Sequence, residues 1–409
     1  MHNIDFFLNM KKTIFILLVA ATSSFVACKK EPKTDLNPPI YAIQNDSVDQ
    51  LKINQIQVVG SHNSYRKRTD LDIFTMVTNL FSTGILGTGL DPGGWDYSHV
   101  PLPEQFGAFG MRAIELDIYE DAQGGRFAKR GGLLLVDNRD PVSGIAELDQ
   151  PGYKIIHIPD FDYNTNYYSF VSALKAVKVW SEKNPNHIPI FIQIESKIDM
   201  VGDQVSFPFL LTSQPYTAAS ADAVDQEIKG VFGNDLDKVI TPDDIRGSYN
   251  TLREAVLAGS WPTLGESRGK IMFVMEGAMV PLYKQGHPSL EGRAMFTFAD
   301  PGDDEAAFVI LNNPISDMTE IQQVVAQGFI VRTRCDSDTE EARTGDYSTM
   351  NAAFASGAQI LSTDYYQADE RYKTEAGWTD YHVAFPSGTT FRINPVTASD
   401  KVSLGFIGE

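Results

Sequence analysis

Glu115 and Asp117 stand two residues apart in the apolar run Arg112-Ala113-Ile114-Glu115-Leu116-Asp117-Ile118. In a strand, side chains alternate between faces, so the two acids share one face while Ile114, Leu116 and Ile118 take the other. Carboxylates placed this way repel each other unless a cation sits between them or one keeps its proton. Upstream, Val58-Val59-Gly60-Ser61 runs directly into His62 and Asn63. Downstream, Lys154-Ile155-Ile156 ends in His157, and Gln193, Glu195 and Lys197 share a face of a run whose other face carries Ile192 and Ile194. Arg332 and Arg334 share a face of a later run, and Asp364 closes the last one. A lone strand histidine is usually a hydrogen-bonded core residue, and a lone arginine after a strand is usually solvated. Six runs that each deliver such groups at the same end are better explained by a site.

The donor types narrow the chemistry. Asn63, Glu115, Asp117 and Glu195 offer only amide and carboxylate oxygens, a hard set suited to Ca2+ or Mg2+ and poor for zinc. Calcium tolerates the irregular geometry that four different strands would supply. Two histidines beside such a cation, with Lys197 and an arginine near, suit a phosphodiester: the cations neutralise phosphoryl oxygens and the imidazoles move protons.

These groups must be positioned by repeated strands. Short apolar runs predict strands over 55–60, 113–119, 153–158, 189–196, 238–240, 270–276, 329–335 and 359–363. Helical stretches over 168–183, 219–231, 251–258 and 347–356 fall between them, the pattern of parallel strands joined by crossover helices. Eight alternations predict an α/β fold, a (β/α)8 TIM-type barrel in one domain over 51–409, whose active site lies at the carboxyl ends of the strands. The 277–328 segment reads as irregular. No glycine-rich phosphate loop follows any strand, and no internal repeat is evident.

The N-terminus has Lys11 and Lys12, an apolar run over 13–21, and Ala27 before Cys28. This pattern predicts a lipoprotein-type export signal over 1–27, too short to span a bilayer, with Cys28 as the acylated residue that anchors the exported chain to a bacterial membrane. Residues 28–50, with their lysines and prolines, read as a tether. Cys335 is the only other cysteine, so the fold must stand on its core without a disulfide. A net charge of −19 argues against nucleic-acid binding and against long-range attraction to an anionic bilayer.

The residues resemble the calcium-dependent phosphatidylinositol-specific phospholipases C, particularly the bacterial branch. The resemblance rests on Gly60-Ser61-His62-Asn63-Ser64-Tyr65, Tyr97-Ser98-His99 with Leu102-Pro103-Glu104-Gln105, Arg112 to Asp117, His157, Gln193 to Lys197 and Arg332-Thr333-Arg334. Ile240-Thr241-Pro242-Asp243-Asp244 and Trp261-Pro262-Thr263-Leu264 extend it, so that it spans 54–366. It implies that Asn63, Glu115, Asp117 and Glu195 bind Ca2+ and that Glu115 also takes the proton of the inositol 2-hydroxyl. It further implies that His62 stabilises the charged phosphorane and that His157 protonates the departing diacylglycerol oxygen. The expected reaction is cleavage of phosphatidylinositol, at a membrane surface, to diacylglycerol and a cyclic inositol phosphate. Lys197, Arg332 and Arg334 are expected to grip the phosphate or the inositol hydroxyls.

Departures from the family pattern are the long gap between Asp117 and His157, with its basic, glycine-rich piece over 124–132, and the lack of an accessory lipid-binding domain. The apolar segment 73–81 reads equally as a rim that dips into a bilayer or as a helix packed on the barrel. Glycerophosphodiester phosphodiesterase is a second reading, but such enzymes carry His-Arg-Gly where this chain has His62-Asn63-Ser64. A third is a non-catalytic surface lipoprotein that binds inositol lipids or glycans. It would not need a proton donor, which the retained pair of histidines provides.

Overall fold

The computed structural model describes residues 46–83, 91–136, 139–205, 207–404 and 407–409. The export signal, Cys28 and all but the last few residues of the tether lie outside them. Ten strands are present among the described residues: β1 (Ile56–Ser61), β2 (Ala113–Tyr119), β3 (Lys154–Ile155), β4 (Ile190–Ser196), β5 (Ile271–Gly277), β6 (Phe296–Thr297), β7 (Phe308–Ile310), β8 (Ile330–Arg334), β9 (Ile360–Thr363) and β10 (Phe391–Ile393). Eight of them, β1, β2, β4, β5, β6, β7, β8 and β9, pair in parallel in that order, and β9 returns to β1. A parallel bridge from Phe298 to Phe308 closes β6 against β7. The expected eight-stranded barrel is therefore the fold.

Six expected strands occupy barrel positions, and two do not. The run 153–158 yields only β3, which pairs antiparallel with the end of β2, Ile118 opposite Ile155 and Tyr119 opposite Lys154. The chain turns away after Ile156 through Pro159 and Asp160, whose φ of +71° no strand can accommodate. His157 thus arrives from a turn folded over the barrel mouth. The run 238–240 makes a single parallel bridge, Val239 to Ile271, at the start of β5. Its place in the barrel is taken by β6 and β7, two and three residues long, within the segment that read as irregular. Strands so short show no periodicity from which to recognise them.

The wall of the barrel is built from strands buried on both faces, as expected of parallel sheets. At the seam of β1 and β2, a Cβ on Gly60 would stand 2.5 Å from that of Ala113, so only glycine permits the approach. Below this point β10 pairs with β1 in antiparallel fashion, Ile56 opposite Ile393, and fills the divergence. The crossover helices start on side-chain caps: Ser169 accepts from Ser172 N ahead of Phe170–Lys183, and Thr217 accepts from Ser220 N ahead of Ala218–Phe232. The apolar segment 73–81 lies in a helix, Leu71–Ser82, capped by Asp70. Ile73 and Val77 are buried in a secondary core with Trp95 and Tyr163, while Leu71 remains exposed.

Candidate active site

β1 delivers His62 and Asn63 into a tight turn over 62–65, where Asn63 has φ +45°, a left-handed conformation that asparagine tolerates better than most residues. The turn is held by hydroxyls and one amide. Ser61 Oγ donates to Gln105 Oε1 at 2.6 Å, Gln105 Nε2 donates to Ser64 O at 2.6 Å, and Glu115 N donates to Ser64 Oγ at 2.8 Å. The strand that carries the acids is thereby tied to the turn that carries the histidine.

His62 is held from both ring nitrogens. Nδ1 lies 2.7 Å from Asp364 Oδ1, at the end of β9, and Nε2 lies 3.4 Å from Glu115 Oε1. Burial, reinforced by Arg334, pushes its pKa down to about 3, with Asp364 opposing. Burial alone would raise Asp364, but contacts with His62 and Arg334 hold it below the usual carboxylate range. Arg334 Nη2 reaches Asp364 Oδ2 at 3.1 Å. An ionised Asp364 can only accept, so Nδ1 of His62 carries its hydrogen and Nε2 presents a lone pair.

His157 is built in parallel fashion. Its Nδ1 lies 2.7 Å from Asp162 Oδ2, and the same oxygen takes Arg66 Nε at 2.5 Å while Thr69 Oγ1 donates to Oδ1 at 2.5 Å. Burial would raise Asp162, yet Arg66 and His157 hold it at about 2. Arg66 is fully buried, donates to Tyr97 O and lies 4.5 Å above the Tyr97 ring. Burial lowers the His157 pKa and Asp162 opposes that shift.

The acids form a cross-strand row. Asp117 on β2 stands opposite Glu195 on β4, which stands opposite Glu276 on β5. Carboxylate oxygens of Glu115, Glu195 and Glu276 all lie within 4.8 Å of one another. Burial, then mutual repulsion, raises Glu115 and Glu276 to about 7 each, against the pull of Arg332. Asp117 is fully buried, and neither of its oxygens has an aligned hydrogen bond. Lys197 Nζ makes an ion-pair contact at 2.9 Å from Asp117 Oδ2 and lies 3.5 Å from Glu195 Oε2. Burial works against that ammonium, but the two acids hold it charged.

His62, Asn63, His157, Glu195, Lys197 and Asp364 line one cleft of about 440 Å3 at the barrel mouth, together with Trp95 and Tyr97. Glu115 and Asp117 lie beneath its floor, as does Arg332, which is 3 % exposed. Arg332 Nη2 donates to Glu115 Oε2 at 2.8 Å and to Ser362 Oγ at 3.0 Å, so it serves Glu115 and does not line the cleft. Sequence reasoning missed Glu276, Asp162 and Arg66. Glu276 did carry a signal, since it closes the expected strand 270–276.

Over residues 51–395 the sequence matches the family described as phosphoinositide phospholipase C, Ca2+-dependent. The chain belongs to that family. Among solved structures, the chain is similar to the calcium-dependent phosphoinositol-specific phospholipase C of a Pseudomonas species, with 15 % identity, a TM-score of 0.49, and 85 % of this chain and 97 % of that one covered. It is also similar to the Ca2+-dependent phosphatidylinositol-specific phospholipase C of Streptomyces antibioticus, with 16 % identity, a TM-score of 0.45 and coverage of 77 % and 95 %. The phosphatidylinositol-specific phospholipase C of Listeria monocytogenes is similar at 13 % identity and a TM-score of 0.42, with 77 % and 90 % covered. No curated protein matches.

A calcium-dependent phosphoinositide phospholipase C requires a cation site, and the row of acids fits one. The donors are hard oxygens, three carboxylates converge, and the buried Asp117 adds a fourth beside them in the cross-strand row. Asn63 adds an amide oxygen from the adjoining turn, which accepts from Tyr65 Oη at 3.4 Å.

Proposed function

We propose that this cleft cleaves phosphatidylinositol by attack of the inositol 2-hydroxyl on its own phosphorus, releasing diacylglycerol and a cyclic inositol phosphate. The observation that carries the proposal is the pair of cleft histidines, each with Nδ1 against a buried, ionised carboxylate, so that proton exchange falls to Nε2, which in His62 lies 3.4 Å from Glu115 Oε1. Calcium held by Asn63, Glu115, Asp117 and Glu195 would neutralise phosphoryl oxygens and acidify the attacking hydroxyl.

The geometry supports a different division of labour from the one the resemblance implies. Asp364 fixes the hydrogen of His62 on Nδ1 and leaves the lone pair on Nε2, so His62 is placed to take the proton of the 2-hydroxyl, with Asp364 offsetting the burial that disfavours the imidazolium. Glu115, 3.4 Å behind Nε2 and paired with Arg332, stands ready to share that proton. His157 gives its Nε2 proton to the glycerol oxygen as the bond from phosphorus to that oxygen breaks. Asp162 favours the protonated ring that this step needs. Attack within one molecule supplies a high effective molarity, so no protein nucleophile is required. In a second passage water attacks the cyclic product, His157 takes the proton and His62 returns its own. Lys197, the cation lining the cleft, and Arg334 beside it are placed to hold phosphate or inositol oxygens.

The export signal over 1–27 and Cys28 support a chain exported and lipid-anchored to a bacterial membrane, close to its substrate. Among the described residues no helix is long and apolar enough to cross a membrane.

The test is release of water-soluble inositol phosphate from phosphatidylinositol vesicles by the full chain, first with calcium and then with chelator. Calcium-dependent release is expected. Hydrolysis of glycerophosphoinositol in its place would indicate a glycerophosphodiesterase, and inactivity on both would indicate a binding protein.

A further inference from the structure

The four carboxylates in and beneath the cleft floor outnumber the cations paired with them. Arg332 pairs with Glu115, and Lys197 is shared between Asp117 and Glu195. Glu276 forms no ion pair among the described residues; the one hydrogen bond to its carboxylate there comes from the amide of Gln193, which donates to Oε1. With all four carboxylates ionised, the cluster would carry two negative charges beyond its two cations, the number that one divalent cation cancels. Asp117, in the same cross-strand row, is fully buried, and Lys197, 2.9 Å from its Oδ2, is shared with Glu195. The Glu276 carboxylate lies with those of Glu115 and Glu195 in a group tight enough for one ion to bridge.

We propose that Glu276 is a ligand of the calcium site, added by β5 to the four residues that the sequence resemblance implies. The inference rests on the calcium-site reading above. Gln193 acts as a positioning residue: its amide fixes Oε1 of Glu276 and leaves Oε2 for the ion. A glutamate held only for structure would stabilise the fold with or without calcium. A ligand in an overcharged cluster should instead destabilise the calcium-free chain and stabilise the loaded one.

The experiment is calorimetric titration of the full chain with calcium chloride, combined with melting curves in chelator and in saturating calcium, for wild type, Glu276→Gln and Glu195→Gln. The glutamine is isosteric and can still bond Gln193. Glu276→Gln should bind calcium about tenfold or more weakly. It should also melt higher than wild type in chelator and show a smaller rise on adding calcium. If Glu276→Gln bound calcium like wild type while Glu195→Gln lost affinity, the inference would be wrong and the site reading would stand. If wild type bound no calcium, the site reading itself would fall, and this inference with it.

Discussion

Asp162 Oδ2 lies 2.7 Å from Nδ1 of His157. That contact, completed by Arg66 at 2.5 Å on the same oxygen, ties the histidine of a turn over the mouth to the turn that follows β1. Asp162→Asn would leave the Arg66 guanidinium buried without a counter-charge, at a cost of about 3–5 kcal/mol in stability. Turnover should fall as well, because His157 would lose the group that favours its protonated form. Urea unfolding and initial rates on phosphatidylinositol vesicles check the two effects separately. The wild-type ion pair also has a pH signature. Asp162 titrates at about 2 in the folded chain, below its ordinary 3.8, so its contribution of about 2 kcal/mol is present above pH 4 and is lost as pH falls through 2.

Asp364 fixes the tautomer of His62. Asp364→Asn would let the amide donate to Nδ1, move the hydrogen to Nε2 and remove the lone pair that takes the proton. Removal of the equivalent partner in a serine protease costs about 10^4 in kcat, and a loss of about 10^2 to 10^4 is expected here. Calcium affinity and KM should change little. A variant with full turnover would show that His62 is not the proton acceptor.

Glu227 lies away from the cleft, on the helix Ala218–Phe232, where its Oε1 accepts from Tyr153 N at 2.9 Å. Burial raises its pKa to about 7. A carboxyl whose folded pKa exceeds the unfolded value adds stability that is complete below about pH 4.5 and is lost as pH rises through 7. The span is about 3 kcal/mol at most. Glu227→Gln keeps an acceptor for Tyr153 N and has no proton to lose. Its melting temperature should therefore decline less than that of wild type between pH 5 and pH 8. Parallel profiles would mean that this carboxyl is not buried as described.

How much of this could be read beforehand depended on distance along the chain. The spacing of Glu115 and Asp117 on one apolar strand announces a cation site without any structure, because the face of a strand follows from counting. The histidines could be named for the same reason. Their carboxylate partners could not be assigned so readily. Asp364 reaches His62 only because β9 closes beside β1, and Asp162 reaches His157 only because the chain doubles back at Pro159. Arg332 read as a substrate ligand because its strand position is right, but the strand face gives no depth, and it lies under the floor against Glu115. The barrel itself was evident in six well-patterned strands. β6 and β7 are too short to leave a pattern, whereas the apolar runs at 153–158 and 238–240 carry one without forming barrel strands.

The central claim is that His157 is the acid that releases diacylglycerol, and the most direct test varies the leaving group. His157→Ala in the full chain should lose about 10^2 to 10^4 of the wild-type rate on phosphatidylinositol vesicles with calcium. It should retain most of its rate on a soluble inositol phosphodiester whose nitrophenolate departs without a proton, and it should bind calcium like wild type. Equal losses on both substrates, or none on phosphatidylinositol, would contradict the account.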